Sequence, residues 1–526
     1  MPPATDPDVA SIVARTARSY DALPYASDPF PATHPSHLGA IARLFGLDAA
    51  PLAQARVLEL GCGSGGNIIP LAARHPRAAF VGVDLSAAQV AAARSRIADL
   101  GLCNIEIRCE SFSDLAAGEP GFDYIICHGV YSWVPAPLRE AILRICRESL
   151  SPHGVAHISY NVLPGWRMLQ ALRDCFLLHG SADADPHQRV AQARALLQLL
   201  PQACPQAGAY RDFLLTEADR LLKCSDDYLA HEFLEEVNEP CSFREFADAA
   251  GRHGLAFLAE SELPSMILAN YPPKMATMVQ NAGGNQLLAS EQLIDMVSGR
   301  TFRHTLLVAA ERAPHIDRRL AGERIEGLHF IGAPLALTRE ASGVTLAASA
   351  GRRLHTSSPL LAAALAQFVA AYPGSSSADD LVAALPAAAR NAEGRALMRE
   401  GLLNMVVNGL ATPRLDAVPA VARPGAMPVA CPMVRADAAR GAATTVNLRH
   451  ERVALEGLAH FVLPLMDGSR DTEAISAALA EAARDGRLAY IRDGATVDDP
   501  DDLMRIASRN LQPLLPALAR AALLLA

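Results

Sequence analysis

Between residues 57 and 160, short apolar runs alternate with stretches of helical periodicity. "RVLEL" (56–60), "AAFVGVD" (78–84), "NIEIRC" (104–109), "FDYIICH" (122–128) and "VAHISY" (155–160) have strand length and strand composition. The continuous apolar character of "FDYIICH" is that of a strand covered on both faces. "NIIPLAARH" (67–75), "SAAQVAAARSRIADL" (86–100) and "APLREAILRICRESL" (136–150) carry apolar positions three and four apart and predict helices. Ser86 is placed to cap the second of these, with Gln89 completing a capping box and Gly101 closing the helix. "SPHG" (151–154) reads as a turn before the fifth strand. Such alternation predicts a doubly wound parallel α/β sheet.

Beyond Trp166 the pattern becomes helical. "GWRMLQALRDCFLLHG" (165–180) and "DPHQRVAQARALLQLLP" (185–201) predict two helices. Residues 226–260 mix helix with one short strand, "LAFLAE". "SGRTFRHTLL" (298–307) closes that region, with Arg300 and Arg303 expected at the surface or between domains. A break near "ERAPHID" (311–317) precedes a half that reads as two diverged copies of one small unit. Residues 365–385 and 458–479 each give a helix, a turn at Gly374 or Gly468, and a second helix. "DAVPAVARPGAMPVACPM" (416–433) is the linker between them.

Composition narrows the function. At 526 residues the chain exceeds one core and predicts several domains. Net charge is −9, with 47 basic against 56 acidic residues, so no broad nucleic-acid surface is expected. The cysteines form no CxxC pair, and Cys62, Cys127 and Cys146 fall on predicted buried elements, which suits a reducing cytoplasm. No membrane insertion is expected, since the most apolar run, "PLLPALARAALLLA", is short and carries Arg520.

The candidate chemistry lies at "VLELGCGSGGN" (57–67). A P-loop is excluded, because Asn67 stands where its lysine must be. Gly61, Gly63 and Gly66 satisfy a dinucleotide fingerprint, but Glu59 at the strand end would oppose a pyrophosphate. That carboxylate suits the cationic amino group and sulfonium of S-adenosyl-L-methionine (SAM). With Gly61, Gly63, Gly65 and Asp84 it gives the ExGxGxG…D arrangement of class I methyltransferases. The glycines admit backbone to the methionine and ribose, and Asp84 accepts the ribose hydroxyls. Leu85 lies against adenine, Ser111 and Phe112 meet its edge, and His128 and Gly129 end the fourth strand beneath the methionine. Asn67 is either a further cofactor contact or a helix cap.

"SYDALPYASDPFPATHP" (19–35), "LELGCGSGGNIIPLA", "DYIICHGVYSWVP", "SYNVLPGW" (159–166) and "HEFLEEVNEP" (231–240) together resemble one family. It is the bacterial class I methyltransferases with a methyltransferase regulatory domain, among them the rickettsial protein-lysine methyltransferases. The resemblance implies a Rossmann-like methyltransferase domain, a mostly helical middle domain and a C-terminal winged-helix-like region. Divided accordingly, 1–35 is a lid, 36–165 the SAM domain, 166–215 a helical dimerisation segment, 216–312 the regulatory domain and 313–526 the winged-helix region. It also implies a homodimer acting on lysine side chains of protein substrates. Tyr20 and Tyr25 would fold over the cofactor. Tyr131, Trp133, Tyr160 and Asn161 would position the acceptor by alignment and desolvation, without a committed general base. Trp133 and Trp166, the only tryptophans, are each either a packing anchor or part of the substrate pocket.

"HEFLEE" fails the HExxH zinc pattern, since Glu235 takes the second ligand position, and no metal is expected. The helix reads as a solvated acidic face, or alternatively Glu232, Glu235 and Glu236 line a cleft for a cationic side chain. A small-molecule methyltransferase and a SAM-binding regulator are the competing readings. An enclosed chamber or a blocked methyl channel would mark them.

Overall fold

A computed structural model describes residues 7–25, 27–115, 121–181, 184–203, 207–348, 351–492 and 495–526. The first six residues of the N-terminal segment lie outside this set. Two compact units emerge: Met1–Asp28 with Ala53–Ile316, and Pro29–Leu52 with Asp317–Ala526.

The first unit begins with helix α1 (Pro7–Ala22); α2 (Pro35–Leu44) belongs to the second unit. Strand β1 (Arg56–Leu60), α3 (Ile68–Arg74), β2 (Ala79–Asp84), α4 (Ala87–Asp99), β3 (Ile105–Cys109), β4 (Phe122–Cys127), α5 (Ala136–Ser149) and β5 (Leu150–Asn161) follow in the expected alternation. The "SPHG" segment is not a turn. It extends β5 back to Leu150, which pairs with Phe122 before the register shifts.

Four helices come next: α6 (Trp166–His179), α7 (Pro186–Ala203), α8 (Ala209–Leu222) and α9 (Asp226–Phe233). They share a core of their own around Phe176, Leu197, Leu221 and Phe233. The unit ends with α10 (Phe243–Arg252), β6 (Leu255–Glu260), α11 (Pro273–Gly283), α12 (Leu287–Ser298) and β7 (Phe302–Ala309).

All seven strands form one sheet in the order β3-β2-β1-β4-β5-β7-β6. The first five are parallel, and β7 runs antiparallel between β5 and β6. The middle region is mostly helical, as expected, and its two strands complete the central sheet. Arg303 explains how a charged residue fits there. The residue is 1% exposed, and its guanidinium lies 4.1 Å over Phe243 and donates to Glu260 at 2.6 Å, Asp295 at 2.8 Å and Glu291 at 3.0 Å. The surface expectation for Arg303 is thus corrected: three carboxylates replace the water it gave up. Arg300 is also mostly covered and lies 3.4 Å from Asp295.

The sheet reverses direction of winding between β1 and β4. Ligands of such sheets sit in the crevice at the carboxyl ends of the strands on either side of that switch.

In the second unit, α2 buries Leu38, Ile41 and Leu44. It is fixed by Leu415 N–H donating to the Ser36 carbonyl at 3.0 Å and by Arg324 Nη1 donating to the Leu44 carbonyl at 3.0 Å. Residues 36–52, expected to open the SAM domain, pack here. A first module holds β8 (His329–Gly332), β9 (Leu335–Glu340), β10 (Gly343–Ala348), β11 (Arg353–Thr356), α13 (Pro359–Ala370), β12 (Ser375–Ser377), α14 (Ala378–Ala383), α15 (Ala392–Val407) and β13 (Ala411–Arg414). A second holds α16 (Pro432–Ala439), β14 (Thr444–Val446), β15 (Arg452–Ala454), α17 (Ala459–Val462), α18 (Thr472–Arg484), the hairpin β16 (Ile491–Arg492) and β17 (Ala495–Thr496), and α19 (Pro500–Arg520). Each contains the helix, glycine turn and helix read from the sequence. Among the described residues no helix is long and apolar enough to cross a membrane.

Candidate functional site

The site is built at the ends of β1 and β2. β1 carries Glu59 inward, where it is 4% exposed. Its Oε1 accepts from Asn67 Nδ2 at 2.7 Å, while Oε2 is buried with no hydrogen-bond partner among the described residues. Burial pushes this carboxyl up to about 8, against the pull of the Asn67 hydrogen bond. Asn67 occupies the N-cap position of α3, yet its side chain caps nothing and is turned to Glu59 instead.

At the end of β2, Asp84 accepts Gly63 N–H on Oδ2 at 2.7 Å and Ser86 N–H on Oδ1 at 2.9 Å. Leu85 N–H is a third backbone donor, and since a carboxylate offers about four lone-pair sites these donors do not fill it. Burial raises its pKa while those backbone donors lower it. The Ser86 N–H is consequently unavailable to Gln89, and only half of the expected capping box forms. Ser86 Oγ accepts from Gln89 N–H at 3.2 Å, while the Gln89 amide reaches the Tyr25 carbonyl at 3.5 Å.

Two glycines are dictated by close approach. Gly61 has φ +77°, and a Cβ there would strike Val130. A Cβ on Gly66 would collide with the Ser27 carbonyl. The N-terminal segment lies directly on this turn: Gly66 N–H donates to Ser27 Oγ at 2.8 Å. Asp21 accepts from Ser86 Oγ at 2.5 Å and from Ala88 N–H at 3.3 Å, holding α1 to the start of α4. Neither Asp21 nor Ser27 has a spacing that would mark it from sequence.

Tyr20 and Tyr25 converge on His231, Tyr20 stacked at 4.2 Å and Tyr25 edge-on at 5.6 Å. Burial, then Glu235, Glu232 and Asp84, push the Tyr20 hydroxyl far up its scale, so it stays protonated beside this acidic group. His231 lies 2.6 Å from the Leu23 carbonyl through Nε2 and 2.8 Å from Glu235 Oε1 through Nδ1. Ser19 Oγ donates to the same Glu235 oxygen at 2.8 Å. The solvated-face expectation for this helix is corrected: His231 and Glu235 are buried, and of the three glutamates Glu236 is exposed and paired with Arg15 at 2.7 Å. Glu232 is half-buried, and burial lifts it to about 7.

The aromatic residues divide. Trp133 donates from Nε1 to the His231 carbonyl at 2.9 Å, tying the turn after β4 to α9. Asn161 donates to Asn238 at 3.2 Å, and its Oδ1 is a buried acceptor without a partner among the described residues. Trp166 is 6% exposed against Phe233, its indole N–H likewise unpartnered. Tyr160 stands apart. It is fully enclosed, stacked on Phe246 at 4.1 Å and hydrogen-bonded to Thr305 at 3.1 Å, on the sheet face packed by α10. Tyr131 packs edge-on to the same Phe246 ring at 5.2 Å. The Tyr160 ring is not free to line an open channel here, whereas Tyr131 borders an open cavity together with Arg139, Arg167 and Asn238.

Just past the ends of β2 and β3, Leu85 and Ser111 are half-buried, Ser111 Oγ lies 2.9 Å from Ser113 Oγ, and Phe112 packs against the sheet core. Gly129, φ +68°, has open space where a Cβ would lie, and its N–H donates to Ser159 Oγ at 2.8 Å. Burial, with His304 beside it, pushes His128 down to about 3, so its imidazole is neutral.

Comparison with known proteins agrees with this architecture. Residues 57–154 match the family described as "Methyltransferase domain", 225–309 "Predicted methyltransferase regulatory domain", and 426–523 "PKMT, C-terminal winged helix domain". The structure of PKMT2 from Rickettsia typhi superposes with a TM-score of 0.82 at 24% identity, covering 95% of this chain and all of that one. The same protein in complex with AdoHcy gives 0.81 at 25% identity, covering 96% of this chain. "Uncharacterized protein RP789" of Rickettsia prowazekii is 32% identical over 522 residues, 96% of this chain and 93% of that protein.

The sheet order, the glycine turn and the acidic strand ends define a class I methyltransferase whose cofactor is SAM. More particularly, the chain belongs to the family that joins this domain to a methyltransferase regulatory domain and a PKMT-type C-terminal winged helix.

Proposed function

We propose that the chain transfers the SAM methyl group to lysine side chains of protein substrates by in-line displacement. The observation that carries this reading is the PKMT-type winged helix at residues 426–523, joined to the methyltransferase and regulatory domains. Glu59 Oε2, buried and unpartnered, receives the donor's ammonium or sulfonium charge. Asp84 accepts hydrogen bonds from the ribose hydroxyls. The backbone at Gly61, Gly63 and Gly65 accommodates the ribose and methionine. Leu85, Ser111 and the Phe112 N–H hold adenine, and Gly129, with the backbone at His128, lies under the methionine. Tyr20 and Tyr25 close over the donor.

A lysine amine, with an ordinary pKa of about 10.4, must lose its proton before attack. Glu232, lifted toward neutrality beside Tyr20 and Tyr25, draws the ammonium in and can exchange that proton. Trp133 and Asn161 hold the cleft wall. Desolvation and alignment then supply most of the rate. The protein acts in the cytoplasm as a homodimer, and the apolar side chains left exposed on α6, α7 and α8 are the surface for the second copy.

The test incubates the protein and labelled SAM with cell lysate and maps labelled peptides by mass spectrometry. Label on lysine side chains is expected. Label confined to metabolites would replace this reading with a small-molecule methyltransferase.

A further inference from the structure

Three histidines from non-adjacent parts of the sequence meet on neighbouring strands of the central sheet. His128 directly follows β4, His157 lies within β5, and His304 lies within β7. One ring nitrogen of each lies within 4.8 Å of the other two. His157 Nε2 and His304 Nδ1 are 3.2 Å apart. Ring centroids are separated by 5.3 Å for His128 and His304, 5.4 Å for His157 and His304, and 5.9 Å for His128 and His157.

These separations are those of a metal ligand set slightly open. A tetrahedral ion with imidazole nitrogens at about 2.0–2.1 Å sets its ligand atoms about 3.4 Å apart. The His157–His304 pair already meets that spacing, and His128 is within about 1.5 Å of it. We propose that His128, His157 and His304 form a binding site for a divalent late first-row transition ion of the zinc type, with a fourth position left open.

Several features of the cluster suit such an ion. The set is all imidazole, without carboxylate or carbonyl, which favours zinc, cobalt, nickel or copper over magnesium or calcium. Ser159 supplies the outer hydrogen bond that orients a ligating histidine. Its Oγ sits 3.0 Å from His128 Nδ1 and already accepts Gly129 N–H at 2.8 Å. The remaining lone pair can accept the Nδ1 proton, which leaves His128 Nε2 for the ion. Strand pairing fixes the frame, with Ser159 opposite His304 and Cys127 opposite Ile158. Phe302 meets His304 edge-on at 5.1 Å and His128 at 6.0 Å, giving the cluster an apolar wall. On entry of the ion, the proton shared between His157 and His304 moves to an outer ring nitrogen. The three imidazoles stay neutral, and the charge gained is the ion's own. A loaded site would brace the ends of β4, β5 and β7 next to the turn that carries Gly129.

The test uses the full chain without an affinity tag, stripped with a chelator and free of SAM, so that its outcome is independent of methyl transfer. Zinc is titrated against a chromophoric competitor. One ion per chain is expected, with His157→Ala and His304→Ala each weakening it by at least about 100-fold. X-ray absorption at the zinc edge of the loaded wild-type protein covers the case in which a variant fails to fold; it should show imidazole nitrogens in the first shell. Absence of stoichiometric binding, equal affinity in folded variants, or sulfur ligation from the exposed Cys103 or Cys109 would overturn the proposal.

Discussion

Glu59 carries the strongest electrostatic statement at the scale of single residues. Its carboxyl is lifted from an ordinary 4.5 to about 8, first by burial. A raised carboxyl favours the protonated form in the folded state. The associated stability is therefore present below about pH 4.5 and is lost as pH rises through about 8. A cationic donor reverses that preference by drawing out the ionised form. SAM affinity should increase with pH up to about 8, by as much as about tenfold per unit, and then level. Calorimetry across this range tests it, and Glu59→Gln should flatten the profile and make the donor-free protein more stable under alkaline conditions. A sloped profile in that variant would assign the titration elsewhere.

Much of this was legible in the sequence, because Glu59, the glycines and Asp84 lie at fixed distances along one strand–turn–helix–strand unit. The histidine trio was not, since the positions of His157 and His304 relative to each other depend on the register of β5 against β7. Tyr160 shows the converse error. It sits at a strand end like a site residue, but its side chain alternates onto the core face.

At the scale of elements, β7 is the instructive case. "FRHTLLVA" reads poorly as a central strand because it carries Arg303, yet it pairs with β5 on one side and β6 on the other. The ion network around Arg303 makes that placement tolerable, and its partners come from β6 and α12, which no local pattern ties together. Arg303→Met should lower stability by about 3–5 kcal/mol, because it strands three buried carboxylates without a cation. Chemical denaturation checks this. The loss should shrink as pH falls and those carboxyls become protonated; Glu291 is already lifted by burial to about 7. A neutral outcome would mean that water reaches the network. β1 to β4 and α3 to α5, by contrast, were readable to within a residue or two, since each satisfies its own periodicity.

On the whole-molecule scale, the boundary between the two units at Ile316 coincides with the break at "ERAPHID", but the crossing of α2 into the second unit has no sequence signal. Its amphipathic pattern fits either partner. The helical layer leaves Leu178 87% exposed and Leu199 59% exposed, with Met168 and Tyr210 half uncovered. Exposed apolar side chains of this size suit a surface on which a second copy would dock. With the proposed homodimer seated there, Leu178→Glu combined with Leu199→Glu should shift sedimentation in the analytical ultracentrifuge from dimer to monomer; a variant that sediments as the wild type does would overturn that proposal. The account as a whole rests on a turn and two acidic strand ends that hold a cationic methyl donor. Calorimetric titration of the wild-type chain with SAM, NAD and ATP, and of Asp84→Ala with SAM, tests it most directly. One SAM per chain, no uptake of the two nucleotides, and a loss of about 100-fold or more in the variant are predicted. Binding of NAD or ATP in place of SAM, or unchanged SAM affinity in Asp84→Ala, would contradict it.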